Sequence, residues 1–410
     1  MPDISATVDA AAVGLDPARL ERVTDHFDTH VKEGRLAGWL CAIGRDGEVA
    51  WVGSGGHRRV ERDQPVTPDT VWRIYSMTKP VTSLGAMMLH EEGRFDLNDE
   101  VARWLPEFAE PRVYVEGPAE RPVTRAAAGP VRVWHLLTHT AGLTYGFQRY
   151  HVVDAIYRAH GYDFGAPPAT DLEGAVGDFA SMPLLFDPGT AWNYSVATDV
   201  VGRLIELWSE LPFDQFLRER VLGPIGMDET GFFCPEERHE RLAELYLYTD
   251  GDTFRPAGAL SAAATRQPSF LSGGGGLVST AHDYHRFATL LLQGGALGDT
   301  RLVAPSTIAL MSRNFLPGSA DIESMARDSF SESSTSGVGF GLGLSCVLDA
   351  SRLHMPTSEG TVSWGGAAST TFWVDPQEDL TCVFFTQLLP SSSYAIRREL
   401  QRLVYQAVID

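Results

Sequence analysis

A chain of 410 residues, 44% apolar and 21% charged, has the composition of a soluble globular protein, and its length exceeds what one hydrophobic core usually fills, so two lobes are expected. No uncharged apolar run approaches the roughly 18 residues needed to cross a bilayer. A net charge of −20 repels phosphate backbones and anionic lipid surfaces, which excludes broad-surface binding of nucleic acid or membrane.

The first stretch, Met1 to Pro17, has no basic residue and no continuous apolar block, so no secretory signal is expected and the chain is placed in the cytoplasm. From Pro17 to Glu33, Leu20, Val23, Phe27 and Val31 recur at three- and four-residue spacing and predict an amphipathic helix. Gly38 to Gly55 reads as a hairpin around Arg45-Asp46-Gly47-Glu48, whose Asp-Gly step suits a tight turn. Ser76 to Glu92 predicts a helix stopped by Gly93, and further helical patterns run over Val196–Trp208, Phe213–Leu222 and Ala281–Leu292. Tyr145–Ala169, rich in aromatic residues, and Leu316–Gly337, rich in Ser and acidic residues, read as long loops or lids. A second strand pair, Ser369–Val374 and Leu380–Leu388, precedes a final helix over Tyr394–Val408.

Strands at both ends around a helical middle predict an α/β (α+β) architecture. One antiparallel sheet domain is drawn from residues 1–75 and 275–410, a mainly helical domain from 76–274, and the active site is expected at their interface. The four cysteines, Cys41, Cys234, Cys346 and Cys382, are too scattered for a metal or redox motif. Three of them lie in apolar, strand-like stretches that suit buried, reduced thiols.

Of 33 basic residues only Lys32 and Lys79 are lysine. Arginine is effectively never deprotonated, whereas a desolvated lysine serves as a base near neutral pH. Lys79 stands three residues after Ser76 at a strand-to-helix junction, on the same helical face. Burial that lowers its pKa to about 7–8 would let it activate the serine hydroxyl, and a helix N-terminus offers backbone N–H groups to a developing oxyanion.

Four ordered segments extend this pair: Tyr75 to Pro80, Val133 to Leu143, Asp187 to Ser195, and Gly275 to Thr280. In order and spacing they resemble the beta-lactamase-related serine hydrolases, which include class C β-lactamases, penicillin-binding-protein-like carboxypeptidases, family VIII carboxylesterases and statin-forming acyltransferases. The resemblance runs from about residue 17 to 405 and implies the β-lactamase/transpeptidase-like fold. It also implies Ser76 as the acylated nucleophile, Lys79 as its base partner and Tyr194 as the tyrosine of the second motif. Which of Lys79 and Tyr194 takes the first proton is left open, and the two are treated as one coupled unit, with a cationic Lys79 expected to favour the Tyr194 phenolate. Trp364-Gly365-Gly366-Ala367 stands where β-lactamases carry Lys-Thr-Gly, so the match implies an oxyanion hole from the Ser76 and Ala367 amides.

Two departures point away from β-lactams. Val196 replaces the Asn of Tyr-x-Asn and Trp364 replaces the Lys of Lys-Thr-Gly, which leaves a β-lactam carboxylate without its cation. Trp-Gly-Gly is the form resembling family VIII carboxylesterases. The expected substrates are small uncharged esters, contacted by Trp364, Gly365, Gly366, Val196 and Tyr145. Acyl transfer, D-amino acid peptidase or amidase work, and weak β-lactamase activity are alternatives on the same residues; a non-catalytic binding protein is the alternative of another class. There is no Gly-x-Ser-x-Gly elbow, and Gly273–Gly276 lacks the lysine of a phosphate loop and reads as a sheet-edge connection. His135 with His139, His26 with His30, and His282 with His285 lack a His-Glu-x-x-His setting and are assigned to helix surfaces or hydrogen bonds. No metal and no cofactor is expected; the oligomeric state is left open.

Overall fold

The computed structural model describes residues 3–167, 169–251, 253–326 and 335–410. Helix α1 (Pro17–Lys32) starts where Asp16 accepts hydrogen bonds from the Ala18 and Arg19 amides. Pro17 takes the first helical position, where a missing N–H costs nothing. Strands β1 (Gly38–Arg45) and β2 (Glu48–Arg59) follow, joined by Asp46 (φ 55°) and Gly47 (φ 80°). Two successive left-handed residues match the twist of paired strands, which is why the Asp-Gly step closes the hairpin.

These strands join β3 (Gln64–Pro65) and five strands from the far end of the chain: β4 (Val338–Phe340), β5 (Ser345–Val347), β6 (Val362–Gly365), β7 (Thr371–Asp375) and β8 (Leu380–Phe385). The order is β4-β5-β6-β7-β8-β1-β2-β3, with every neighbour antiparallel. The two chain ends meet where β1 pairs β8, Leu40 opposite Phe385. Every residue of β1 and β8 is buried, because helices cover both faces. Trp39, Cys41 and Ile43 pack with α1 and with Ile396, Leu400 and Val404 of the last helix, α5 (Ile396–Tyr405). Leu40 and Ala42 face the larger core, with Tyr284 and Phe287 of α4 (Ala281–Leu292).

The middle of the chain contributes α2 (Thr78–Glu91), α3 (Ala197–Ser209) and the shorter helices Val133–Leu137, Val152–Ala159 and Leu172–Ser181. In α2 every residue from Thr78 to Leu89 is buried, so this helix has no solvent face. Among the described residues no helix is long and apolar enough to cross a membrane.

Three expectations need correction. Ser76 does not begin the α-helix: Tyr75–Met77 form a 3₁₀ turn and α2 starts at Thr78. Proline lacks the N–H that would bond back four residues, so starting at Thr78 keeps Pro80 inside the first turn, where no such bond is needed. Tyr145–Ala169 is not a loop throughout, since His151 caps a helix over Val152–Ala159 that buries Val153, Ile156 and Tyr157. Pro168 lies outside the described residues. Within Leu316–Gly337, Ile322–Met325 is a short helix with Ile322 buried against Trp192 and Phe340, and residues 327–334 lie outside the described ones.

Candidate active site

Ser76 is held at a bend. Tyr75 has φ 43°, a left-handed conformation that strains a bulky residue and persists only when its surroundings impose it. Those surroundings are specific: Ile74 N–H donates to Leu277 O (3.1 Å), Leu277 N–H donates to the Thr78 hydroxyl (3.1 Å), and the Tyr284 hydroxyl donates to Met77 O (2.7 Å). The short strands Trp72–Arg73 and Val278–Ser279, paired antiparallel, carry this frame.

Because α2 is buried all round, Lys79 in its first turn has no path to water and is 0% exposed. Its Nζ donates to Gly274 O (2.7 Å), the Tyr145 hydroxyl (3.0 Å) and Ser76 Oγ (3.3 Å). It also lies 4.3 Å from the centroid of the Tyr194 ring. These partners are dipoles and a π face, which do not replace a counter-charge. Burial therefore lowers the Lys79 pKa from 10.5 to about 7, with the more distant Asp199 carboxylate opposing that shift.

Tyr194 is 2% exposed and sits between two rings, His139 at 4.9 Å and Trp364 at 5.4 Å between centroids. Trp364 Nε1 donates to its hydroxyl (3.4 Å), and Gln148 Nε2 donates to its backbone oxygen (2.5 Å). Burial pushes the Tyr194 phenol above its ordinary value, while hydrogen bonds with Ser76 and Trp364 pull the other way. The expectation that a cationic Lys79 would favour the phenolate is thus corrected: desolvating the phenolate costs more, and Nζ faces the ring.

The structure brings together Ser76, Tyr194, Tyr145, Val196, Trp364, Gly365, Gly366 and Ala367 around one cavity of about 550 Å³, and Lys79 lies behind its wall, bonded to Ser76 Oγ and the Tyr145 hydroxyl. Tyr145, expected as a substrate contact, also holds the amine. Close approach of backbone requires Gly366, and Gly365 makes room for the Arg397 guanidinium. A Cβ on Gly366 would lie 2.3 Å from Ile74 O, and one on Gly365 would lie 2.4 Å from Arg397 Cζ. This packing draws the end of β6 against the backbone just before Ser76.

Sequence reasoning missed three contributors. Asp199, buried in the first turn of α3, accepts from the Ser272 hydroxyl (2.6 Å) and from Gly274 N–H (2.9 Å). Its pKa is raised by burial, against those bonds and Lys79. An acidic residue in a helix's first turn is so ordinary that nothing in the sequence marks it. The glycine run is not a sheet-edge connection but a strap: Gly273 O accepts from the Thr82 hydroxyl (2.9 Å), and Gly274 O accepts from Lys79. A Cβ on Gly274 would lie 2.8 Å from the Tyr145 hydroxyl and 2.9 Å from Asp199 Oδ2. Arg397 of α5 donates to Gly366 O (2.9 Å) and Thr370 O (3.1 Å), bracing the turn that carries Ala367.

The histidine pairs part company. His135 Nδ1 accepts from Arg132 N–H, His139 Nδ1 pairs with the Ser195 hydroxyl, and His285 Nε2 with the Thr381 hydroxyl. Only His26 and His30 meet a third ligand-type group among the described residues, and they lie outside this cavity.

The profile of the family described as beta-lactamase matches residues 23–406. Protein Rv1367c of Mycobacterium tuberculosis is 35% identical over 88% of this chain and 88% of its own length. Esterase EstB of Burkholderia gladioli is 31% identical over 93% of this chain and 94% of its own. Among solved structures, EstCE1, described as a hydrolase with promiscuous acyltransferase activity, superposes with a TM-score of 0.80 at 28% identity, covering 95% of this chain and 99% of its own. The chain belongs to the beta-lactamase family.

Proposed function

We propose that the protein is a carboxylesterase that works through an acyl-enzyme on Ser76. The observation that carries this reading is the fully buried Lys79 amine, 3.3 Å from Ser76 Oγ, with a pKa of about 7. A neutral amine at that place accepts the Ser76 proton as Oγ attacks the ester carbonyl. The oxyanion then forms between the amides of Ser76 and Ala367. The Tyr194 phenol, kept protonated by burial, gives its proton to the departing alkoxide, so the alcohol leaves neutral. This step ends with a Lys79 ammonium beside a Tyr194 phenolate. In deacylation the phenolate takes a proton from the attacking water while Lys79 returns its proton to Ser76 Oγ, which closes the cycle with every proton accounted for.

The walls support an uncharged acyl group. Val196, Trp364 and Tyr145 present apolar or aromatic surface to the cavity, whose size fits a drug-sized ester. The likeness to Esterase EstB points the same way. The test is turnover of p-nitrophenyl butyrate together with intact mass after a fluorophosphonate probe. Wild type is expected to hydrolyse the ester and gain one adduct at Ser76. Ser76→Ala is expected to lose at least about 10⁴-fold in kcat and to gain no adduct, and retained turnover in that variant would reject the reading.

A second reading is acyl transfer to an alcohol, favoured by the likeness to EstCE1. The same residues serve it, with an alcohol in place of water. Offering a primary alcohol during turnover and weighing the products separates the two: an ester product that dominates over free acid marks a transferase.

A further inference from the structure

His26 and His30 stand one turn apart on α1 and so share a face. From the last helix, 369 residues beyond His30, Glu399 reaches the same point. His26 Nε2 lies 3.0 Å and His30 Nε2 3.1 Å from the one oxygen, Glu399 Oε2. Three ligand-type atoms from two helices lie within 4.8 Å of one another.

We propose that His26, His30 and Glu399 form a binding site for one divalent transition-metal ion of the zinc type, which ties the first long helix to the last. Two imidazole nitrogens and a carboxylate oxygen are a donor set suited to zinc, cobalt and nickel. Bonds of about 2.0–2.1 Å in a tetrahedral site set ligand atoms roughly 3.3–3.4 Å apart. Each imidazole therefore needs to part from the carboxylate by only a few tenths of an ångström, while the two imidazole nitrogens, no more than 4.8 Å apart, close to the same spacing. Both rings are held in place: His30, 4% exposed, stacks on Phe27 and meets Tyr394 edge-on, while His26 meets Phe27 edge-on. The His26 side chain is 33% exposed and that of Glu399 24%, which gives a hydrated ion a way in and leaves water the fourth position.

One feature limits the affinity. Among the described residues His30 Nδ1 is buried with no hydrogen-bond partner, so the ring has none of the outer acceptors that tight zinc sites supply. Loss of such a partner costs about 10–100-fold in affinity, so a Kd in the micromolar rather than the nanomolar range is expected.

The full-length chain, free of any affinity tag and stripped by chelator, is titrated with ZnCl₂ by calorimetry, with melting followed in parallel. One ion per chain, a micromolar Kd and a melting temperature raised by several degrees are expected, since an ion bound only by the folded state stabilises it. His26→Ala is expected to weaken binding at least about 30-fold and Glu399→Gln at least about tenfold, and both variants keep wild-type esterase turnover, which verifies that they are folded. His26→Gln substitutes for His26→Ala if the latter fails to fold. No saturable heat up to about 200 µM ZnCl₂, far above that Kd range, or a His26 variant that binds as well as wild type, overturns the proposal.

Discussion

Helix α5 takes part in two polar clusters that treat charge in opposite ways. Arg397 braces the turn beside Ser76 and Lys79, and Glu399, two residues on, meets His26 and His30. In the first cluster the basic group is sealed among dipoles and rings, so burial lowers Lys79 to about 7 and its charge becomes negotiable at working pH. In the second, two imidazoles face a partly exposed carboxylate, and the His30 hydrogen bond leads in holding Glu399 down to about 2. A carboxylate held by hydrogen bonds stays ionised, whereas an amine denied a counter-charge becomes a reagent. The first arrangement is costly to folding and useful for chemistry, and the second is the reverse.

Three substitutions sharpen that contrast. Lys79→Met removes the base and is expected to lower kcat/KM on p-nitrophenyl butyrate by about 10³–10⁴-fold. It also removes a buried amine whose folded pKa lies below its unfolded one. Between about pH 7 and 10.5 the unfolded state of wild type binds more protons, so wild-type stability rises with pH across that window. Lys79→Met should therefore be the more stable form below pH 7, by something on the order of 5 kcal/mol, and lose that advantage by pH 10.5. Denaturant unfolding at pH 6 and pH 9 checks the sign.

Asp199→Asn is a milder change. Asp199 raises the Lys79 pKa against burial, so removing its charge should move the acidic limb of the pH–rate profile to lower pH. The plateau rate should fall far less than in Lys79→Met, because Ser272 and Gly274 keep an acceptor. A limb that stays in place would show that the carboxylate only shapes the strap.

Glu399→Gln, in metal-free protein, gives the smallest effect. Turnover should be unchanged, and stability at pH 7 should fall by about 1 kcal/mol, a partly exposed pair being screened by water. Because the folded pKa lies below the unfolded one, the contribution is complete above about pH 4.5 and disappears as pH falls toward 2. Unfolding curves at pH 7 and pH 3 measure the gap between variant and wild type.

What could be read from the residues divides along the same line. Ser76 and Lys79 are neighbours in sequence, and the rarity of lysine made the pair stand out. The hairpin around Asp46-Gly47 and the Ala281–Leu292 helix are likewise local patterns, and their bounds follow from turn chemistry and helical spacing. Strand patterns at both termini around a helical middle pointed to the union of the chain ends in one sheet, and the family resemblance supplied the fold. What escaped was made by distance. Asp199 meets Ser272 and Gly274, 73 and 75 residues on, and acts on Lys79 from another helix. Arg397 acts on Gly366 from another helix. His26 and His30, which lack a His-Glu-x-x-His setting and are assigned to hydrogen bonds, do make them, but their partner Glu399 stands 369 residues beyond His30, where no local pattern shows it. Tyr145–Ala169 misled because glycine, proline and aromatic residues at its ends masked the helical spacing of Val153, Ile156 and Tyr157.

The proposed ester cleavage needs a lysine that is half deprotonated near neutrality because it is buried, and the pH dependence of kcat/KM for p-nitrophenyl butyrate tests that most directly, since this quantity reports the free enzyme. The expected profile rises through an apparent pKa near 7 to a plateau, and the rise disappears with the activity in Lys79→Met. A wild-type profile that is flat from pH 5 to 9, or that begins to rise only near the ordinary lysine value, would contradict it.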